Sequence, residues 1–290
     1  MDNDPFHAGE QQLQSLFAVR EQLAGSRAIQ ASLPPGFADF LAELHYVVLA
    51  VPDREGRIWV TMVFGRPGFL SAPDAMRVRV AARPDAADPV ARGIVEGTPI
   101  AILAIDLSTR RRIRVNGSVG RVGQSDFVVD VQQAFGNCPQ YIRPRDVEQA
   151  VGASGEPLLI SADTSLARRV VAGADTFFVA TRAASDAGGD MDVSHRGGPP
   201  GFVRWDGECL IWPEYRGNYY FNTLGNLLID PACCLLFPDF GTGEMVVMTG
   251  HAVLDGFDGR LRRSHEGMPM NGLVRFKPDL LMSRTALARP

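Results

Sequence analysis

Lysine is nearly missing from this sequence: Lys277 is the only one among 29 basic residues, and the others are arginine. A phosphate-loop lysine is therefore excluded, and no Schiff-base lysine lies in the body of the chain. Cysteine is scarce too. Cys138, Cys209, Cys233 and Cys234 form no C-x-x-C pair and read as buried free thiols in a reducing compartment. His7, His45, His251 and His265 are scattered without metal-ligand spacing, so no metal is expected. No G-x-S-x-G elbow offers a hydrolytic serine. Charge of one sign is missing as well: a net charge of −4 and a pI near 5.8 give no electrostatic reason to expect nucleic acid. No run approaches the roughly 18 apolar residues of a membrane span, so no membrane partner is expected. The N-terminus, MDNDPFHAGEQQ, is polar and acidic rather than signal-like, which predicts a cytoplasmic protein.

What the chain does have is an internal repeat. GRPGFL, beginning at Gly65, recurs as GPPGFV from Gly198, and 133 residues separate Phe69 from Phe202. The same offset carries Gly117 of RVNG to Gly250 of VMTG and lays PIAILAID over ACCLLFPD. HYVVLAV matches DTFFVAT with a small insertion near residues 186–189. Four matches in one order imply a tandem duplication.

Each copy reads alike. A short helix (37–44; 166–172) precedes an apolar strand, and a hairpin follows at 53–56 or 185–190. A second strand (58–64; 192–196), the PGF turn and a third strand (76–82; 208–212) come next. A helix then crosses over (89–96; 222–229), Pro89 suiting a first helical turn, and two strands close the unit. In RIRVNGSV, Ile113, Val115 and Val119 alternate with Arg112, Arg114 and Ser118, so one face meets a core and the other a polar groove. A helix is expected over 10–22 and a further strand-like run from Leu273. The fold class is mostly β: two tandem Greek-key-like barrels related by a pseudo-twofold axis. A doubly wound α/β sheet fails because helices do not alternate with strands. The expected units are an N-terminal helical extension (1–36), a first copy with a degenerate site (37–150) and a second copy with the working site (158–290). Residues 138–157 serve as the link.

The copies differ in chemistry. The second has Ser194-His195-Arg196 running into glycines, where the first has Thr61, Met62 and Val63. It has Arg216-Gly217-Asn218 before its helix, where the first has Arg83, Pro84 and Asp85. A phosphate needs positive charge and donors, ideally at a helix N-terminus. Ser194, Arg196, Arg216, Asn218 and the helix opened by Asn222 and Thr223 offer that set, so one site per chain is expected. Period 2 puts His195 on the face opposite Ser194 and Arg196, which favours an outward-facing residue over a proton donor. Cys138 reads as a buried structural thiol rather than a reactive one. No catalytic residue is assigned.

The stretch SHRGGPPGFVRWDGECLIWPEYRGNYYFNTLGNLLIDP resembles the FMN-contacting region of pyridoxamine 5′-phosphate oxidase-like split-barrel flavoproteins. With FHAGE, WVTMVFGRPGFL, Asp88-Pro89, RRRIRVNG and FGNCPQYI, nearly the whole chain resembles a bacterial branch that carries two such barrels in tandem. The resemblance implies FMN between the barrels, with Ser194 and Arg196 beside the isoalloxazine and ribityl chain. It implies that Arg216, Asn218 and Asn222 hold ribityl hydroxyls and phosphate. The opposite copy would contribute Arg112 or Arg114 and, from NCPQYI, Asn137 and Tyr141. Gln140 stands where relatives often carry lysine, and Tyr220 where some carry arginine. The implied activity is an oxidoreductase passing electrons from a reduced donor, NAD(P)H or a separate reductase, through FMN to a small-molecule acceptor. The alternatives are a non-catalytic flavin-binding stress or sensor protein and a haem- or deazaflavin-binding relative. A homodimer is left open.

Overall fold

The computed structural model describes residues 4–24, 28–147, 156–183 and 191–285. Two helices, α1 (Ala8–Leu16) and α2 (Arg20–Leu23), precede the first copy. That copy runs α3 (Phe37–Glu43), β1 (Tyr46–Pro52), β2 (Ile58–Phe64), β3 (Leu70–Asp74), β4 (Arg77–Val80), α4 (Pro89–Gly93), β5 (Pro99–Asp106), β6 (Arg111–Val122) and β7 (Phe127–Gly136). The second begins with β8 (Leu158–Ile160), α5 (Ser165–Gly173), β9 (Thr176–Arg182), β10 (Met191–Gly197), β11 (Arg204–Asp206) and β12 (Cys209–Tyr215). It ends with α6 (Asn222–Ile229), β13 (Ala232–Pro238), β14 (Glu244–Asp255), β15 (Arg262–Arg263) and β16 (Pro269–Thr285).

The first sheet has the order β2-β1-β5-β6-β7-β4-β3, and the second β10-β9-β13-β14-β16-β12-β11, with β8 and β15 added on β16. These are one topology used twice. The register agrees residue by residue. Leu49 pairs with Thr61 on one side and Ile102 on the other, as Val179 pairs with Ser194 and Leu235. Ile102 then pairs with Val115, and Leu235 with Met248. The chain is two tandem split β-barrels, all of whose strand pairs are antiparallel.

The repeated glycines have physical causes. Ladders β6–β7 and β14–β16 both shift register just before a glycine, Gly117 and Gly250. A Cβ there would lie 2.0 Å from the Asp130 carbonyl oxygen or 2.2 Å from that of Lys277, so only glycine lets the bulged strands approach. In the PGF turns, a Cβ at Gly65 or Gly198 would strike the ring of Phe69 or Phe202.

β1 is buried along all but its last residue and β9 along all but its last, because each copy covers the other's sheet. Phe178, Ala180, Met191 and Val193 of the second copy belong to the same core as Val48, Ala101 and Val115 of the first. β10 packs against β1, β5 and β6. Strands covered on both faces read as apolar runs rather than alternations.

Three expectations change. The helix over 10–22 is broken into α1 and α2: Ala18 takes a left-handed conformation (φ 54°), and the amides of Ala18 and Val19 turn back to Ser15 and Gln14. The short strands β3 and β11, too brief and polar to carry a period, were not anticipated. The terminal run is far longer than LVRF, since β16 pairs with both β14 and β12. The hairpin at 185–190 and part of the link, 148–155, lie outside the described residues.

Candidate functional site

A cleft of roughly 780 Å³, counted out to its open mouth, lies between the barrels. The first copy contributes Arg112 and Arg114 from β6 and Asn137, Cys138, Gln140 and Tyr141 from the segment after β7. The second contributes His195 and Arg196 from β10 and the N-terminal end of α6. Arg112 and Arg114 share a face two residues apart on β6, while Ile113 and Val115 are buried in the core behind them.

Arg114 is buried. Its Nη1 donates to Asp192 Oδ1 at 3.0 Å and to Asn222 Oδ1 at 3.1 Å, tying the first copy to the start of α6. Asn222 Nδ2 in turn donates to Glu10 Oε1 of α1. Behind this wall, Thr223 Oγ lies 3.0 Å from Ser194 Oγ, which lies 3.0 Å from Asp192 Oδ2. Burial lowers the Arg114 guanidinium, and Asp192 opposes that shift. Arg196 donates through Nε to Glu214 at 2.9 Å. Arg112 has no carboxylate partner among the described residues. Its Nη2 donates to the Cys138 carbonyl at 2.6 Å and its Nη1 to His195 Nδ1 at 3.3 Å. Burial, with Arg114 and Arg196 close by, pushes this guanidinium down to about 9.

Polar groups without partners collect here. Arg112 Nε, Arg114 Nε, His195 Nε2, Asn137 Oδ1 and Asn271 Oδ1 are buried and unpaired on residues that line the cleft. Buried polar atoms are rarely left without a partner, so five of them on one cleft make it the place to look for a ligand. Backbone strain collects here too: Tyr141, Tyr219 and Phe221 have φ of 65°, 60° and 62°. Phe221 is the N-cap of α6 and supplies no side-chain cap, so the helix presents open amides to the cleft. Gly197 is needed for closeness: a Cβ there would lie 2.0 Å from the Tyr141 carbonyl oxygen.

The equivalent place in the first copy is largely filled, a hollow of roughly 270 Å³ lined by Asp88, Val247 and Arg284. Asp88, the counterpart of Phe221, caps α4 by accepting from the Val90 amide at 2.9 Å. Met245 and Val247 stand where the other site receives Arg112 and Arg114, and both are buried. Arg284 of β16, the counterpart of Asn137, pairs with Asp88 at 2.8 Å and donates to Thr61.

Of the residues expected at a site, Arg112, Arg114, Asn137, Tyr141, Arg196, Asn218 and Asn222 line the cleft. Ser194 lies fully buried behind the wall. Arg216 is off the wall, its guanidinium over the Tyr219 ring and its carbonyl accepting from Tyr141 Oη at 2.8 Å. His195 does not face outward. It is 3% exposed, because the first copy covers the face of β10 that a lone sheet would leave to solvent. Burial, then Arg112 and Arg196, hold its pKa well below the usual value, so the ring is neutral. Cys138 is exposed rather than buried, since it follows β7 in a loop on the cleft rim. Cys233 and Cys234 are buried on β13, and burial raises both thiols. Sequence reasoning missed Asp192 and Glu214, whose role as counter-ions depends on contacts across the fold.

Fold and cleft define a tandem split-barrel protein with a cation-rich cleft between its copies. No protein-family model matches the chain, and no curated protein does. Solved structures are similar to about half of it. One is a candidate pyridoxamine 5′-phosphate oxidase from Lactobacillus delbrueckii, with 16% identity and TM-score 0.29 over 37% of this chain and 95% of that one. A FAD-binding protein from Mesorhizobium loti matches with 12% identity and TM-score 0.30, over 46% and 98%. A FAD-binding protein from Mycobacterium smegmatis matches with 12% identity and TM-score 0.28, over 46% and 99%. Among the described residues no helix is long and apolar enough to cross a membrane.

Proposed function

We propose that the cleft binds one FMN and that the protein is an FMN-dependent oxidoreductase, passing electrons from a reduced donor to a small-molecule acceptor. The observation that carries this reading is the uncapped α6 N-terminus, opening beside Arg114, whose buried Nε donor lacks a partner. A helix start with free amides and flanking guanidinium groups suits a phosphate. Asn222, Arg114, Arg196 and Asn218 would hold it, with Arg216 at the rim and Ser194 buttressing Thr223 from behind. Asn137 and Tyr141 would close over the cofactor from the other copy. Bound FMN supplies hydride and single-electron transfer, while the protein's part is orientation, charge and exclusion of water.

Purified protein should carry a flavin absorption spectrum, and extraction should yield FMN by mass. Arg196→Ala should weaken FMN about 10- to 150-fold, the loss of a charge-assisted bond of ~1.5–3 kcal/mol. Riboflavin, which lacks the phosphate, should weaken far less. Equal losses for both ligands would reject the phosphate contact. NAD(P)H reduction of the bound flavin, followed by reoxidation with candidate acceptors, tests turnover; a flavin that stays inert would favour a binding protein over an enzyme.

A further inference from the structure

Three arginines line the cleft, and their charges are not balanced alike. Arg114 is paired with Asp192 and Arg196 with Glu214. Arg112 is paired with no carboxylate among the described residues, and its Nε is buried without a partner. A guanidinium only donates, so His195 Nδ1 must accept the bond from Arg112 Nη1. The neutral ring then carries its proton on Nε2, and that N–H is buried and unpartnered as well. Arg112 and His195 come from different barrels, so this pair exists only because the copies dock.

We infer that Arg112 and His195 form a subsite for a single carboxylate, belonging to the small molecule that meets the cofactor. The inference rests on the flavin reading for the identity of the neighbouring ligand. Two features separate this subsite from the phosphate locus. Arg114 marks the α6 end through Asn222, whereas Arg112 is tied to Cys138 and His195. The two arginines start roughly 7 Å apart along β6, two residues of strand rise. Charge selects the class. One uncompensated cation and one neutral donor balance a monoanion, whereas a dianion would leave a buried negative charge without a partner. A neutral or cationic substrate would leave Arg112 unbalanced.

The test uses the FMN-loaded protein, with benzoate and acetate titrated against benzamide and acetamide and followed by perturbation of the flavin spectrum. The carboxylates should bind, and their amides at least about tenfold more weakly. Arg112→Met should cost benzoate about tenfold or more while changing FMN affinity less than about threefold, which also certifies the fold. Arg112→Lys should recover part of the benzoate loss, because it restores the charge without the fork. Equal binding of benzoate and benzamide would overturn the inference. So would displacement of FMN by benzoate, or a loss of FMN in Arg112→Met as large as the loss of benzoate, since Arg112 would then belong to the cofactor. A protein that takes no FMN would sink the flavin reading instead. Benzoate titration of the apo-protein, followed by the His195 ring-nitrogen NMR signals, then decides the subsite alone. A shift present in wild type and absent in Arg112→Met keeps it, and no shift rejects it.

Discussion

The same barrel, used twice in one chain, makes one open cleft of roughly 780 Å³ and one largely filled site of roughly 270 Å³. Where β6 of the first copy sends Arg112 and Arg114 across the interface, β14 of the second sends Met245 and Val247. Where the segment after β7 offers the short Asn137, β16 offers Arg284, which reaches Asp88 and fills its own site. One helix start is capped by a carboxylate, and the other is left open by Phe221. Arg284 is neutralised inside its own site, whereas Arg112 finds no carboxylate among the described residues. The two sites share a backbone and differ in which charges are balanced within them.

The largest expected effect tests that distinction directly. Arg284→Met should destabilise the protein by about 3–5 kcal/mol, because it strands the buried Asp88 carboxylate. Arg112→Met should shift apo-protein stability by no more than about 1 kcal/mol, the lost bonds being offset by relief of an unpaired, half-buried cation. Urea denaturation of both variants measures the contrast, and similar losses would erase it.

Gly197→Ala should cost about 1–3 kcal/mol and most FMN affinity, since its Cβ would meet the Tyr141 carbonyl oxygen. Thermal unfolding and flavin titration read both effects. The first copy has Phe64 at the equivalent position. Normal FMN binding in Gly197→Ala would mean that the Tyr141 segment does not close the site.

His195 has Met62 as its counterpart, so His195→Met makes the copies alike and removes a titration. The folded pKa of His195 lies well below 6.5, so as pH falls the unfolded chain takes up the proton first. The stability at stake is whole above about pH 6.5 and is lost below it, by at most about 1.4 kcal/mol per pH unit. Wild type minus His195→Met, measured by denaturation between pH 7 and 5, should show that slope. A flat difference would place His195 in water.

The smallest expected effect is none. Arg83→Ala in the first copy should leave FMN affinity unchanged, and titration should saturate near one flavin per chain. A clear endpoint at two would overturn the filled first site.

Much of the fold was legible in the sequence. The offset of 133, its interruption before β10, the bulge glycines and the PGF turns all translate into strand order and register. These features are local: a glycine is forced by a nearby backbone, and an apolar run by a strand buried on both faces. Most of the cleft was legible too, since Arg112, Arg114, Asn137, Tyr141, Arg196, Asn218 and Asn222 all reach it. The orientation of His195 was not. Period 2 separates the two faces of a strand, but it cannot say that the second face is covered by another barrel. Nor could it say which arginine would be neutralised, because Asp192 lies 78 residues from Arg114, and Arg284 donates to Thr61 across 223. The sequence by itself determined a duplicated β-barrel and the residues that differ between its copies. Only the tertiary structure decided which charges cancel, since an ion pair depends on distance in space, which sequence spacing does not encode.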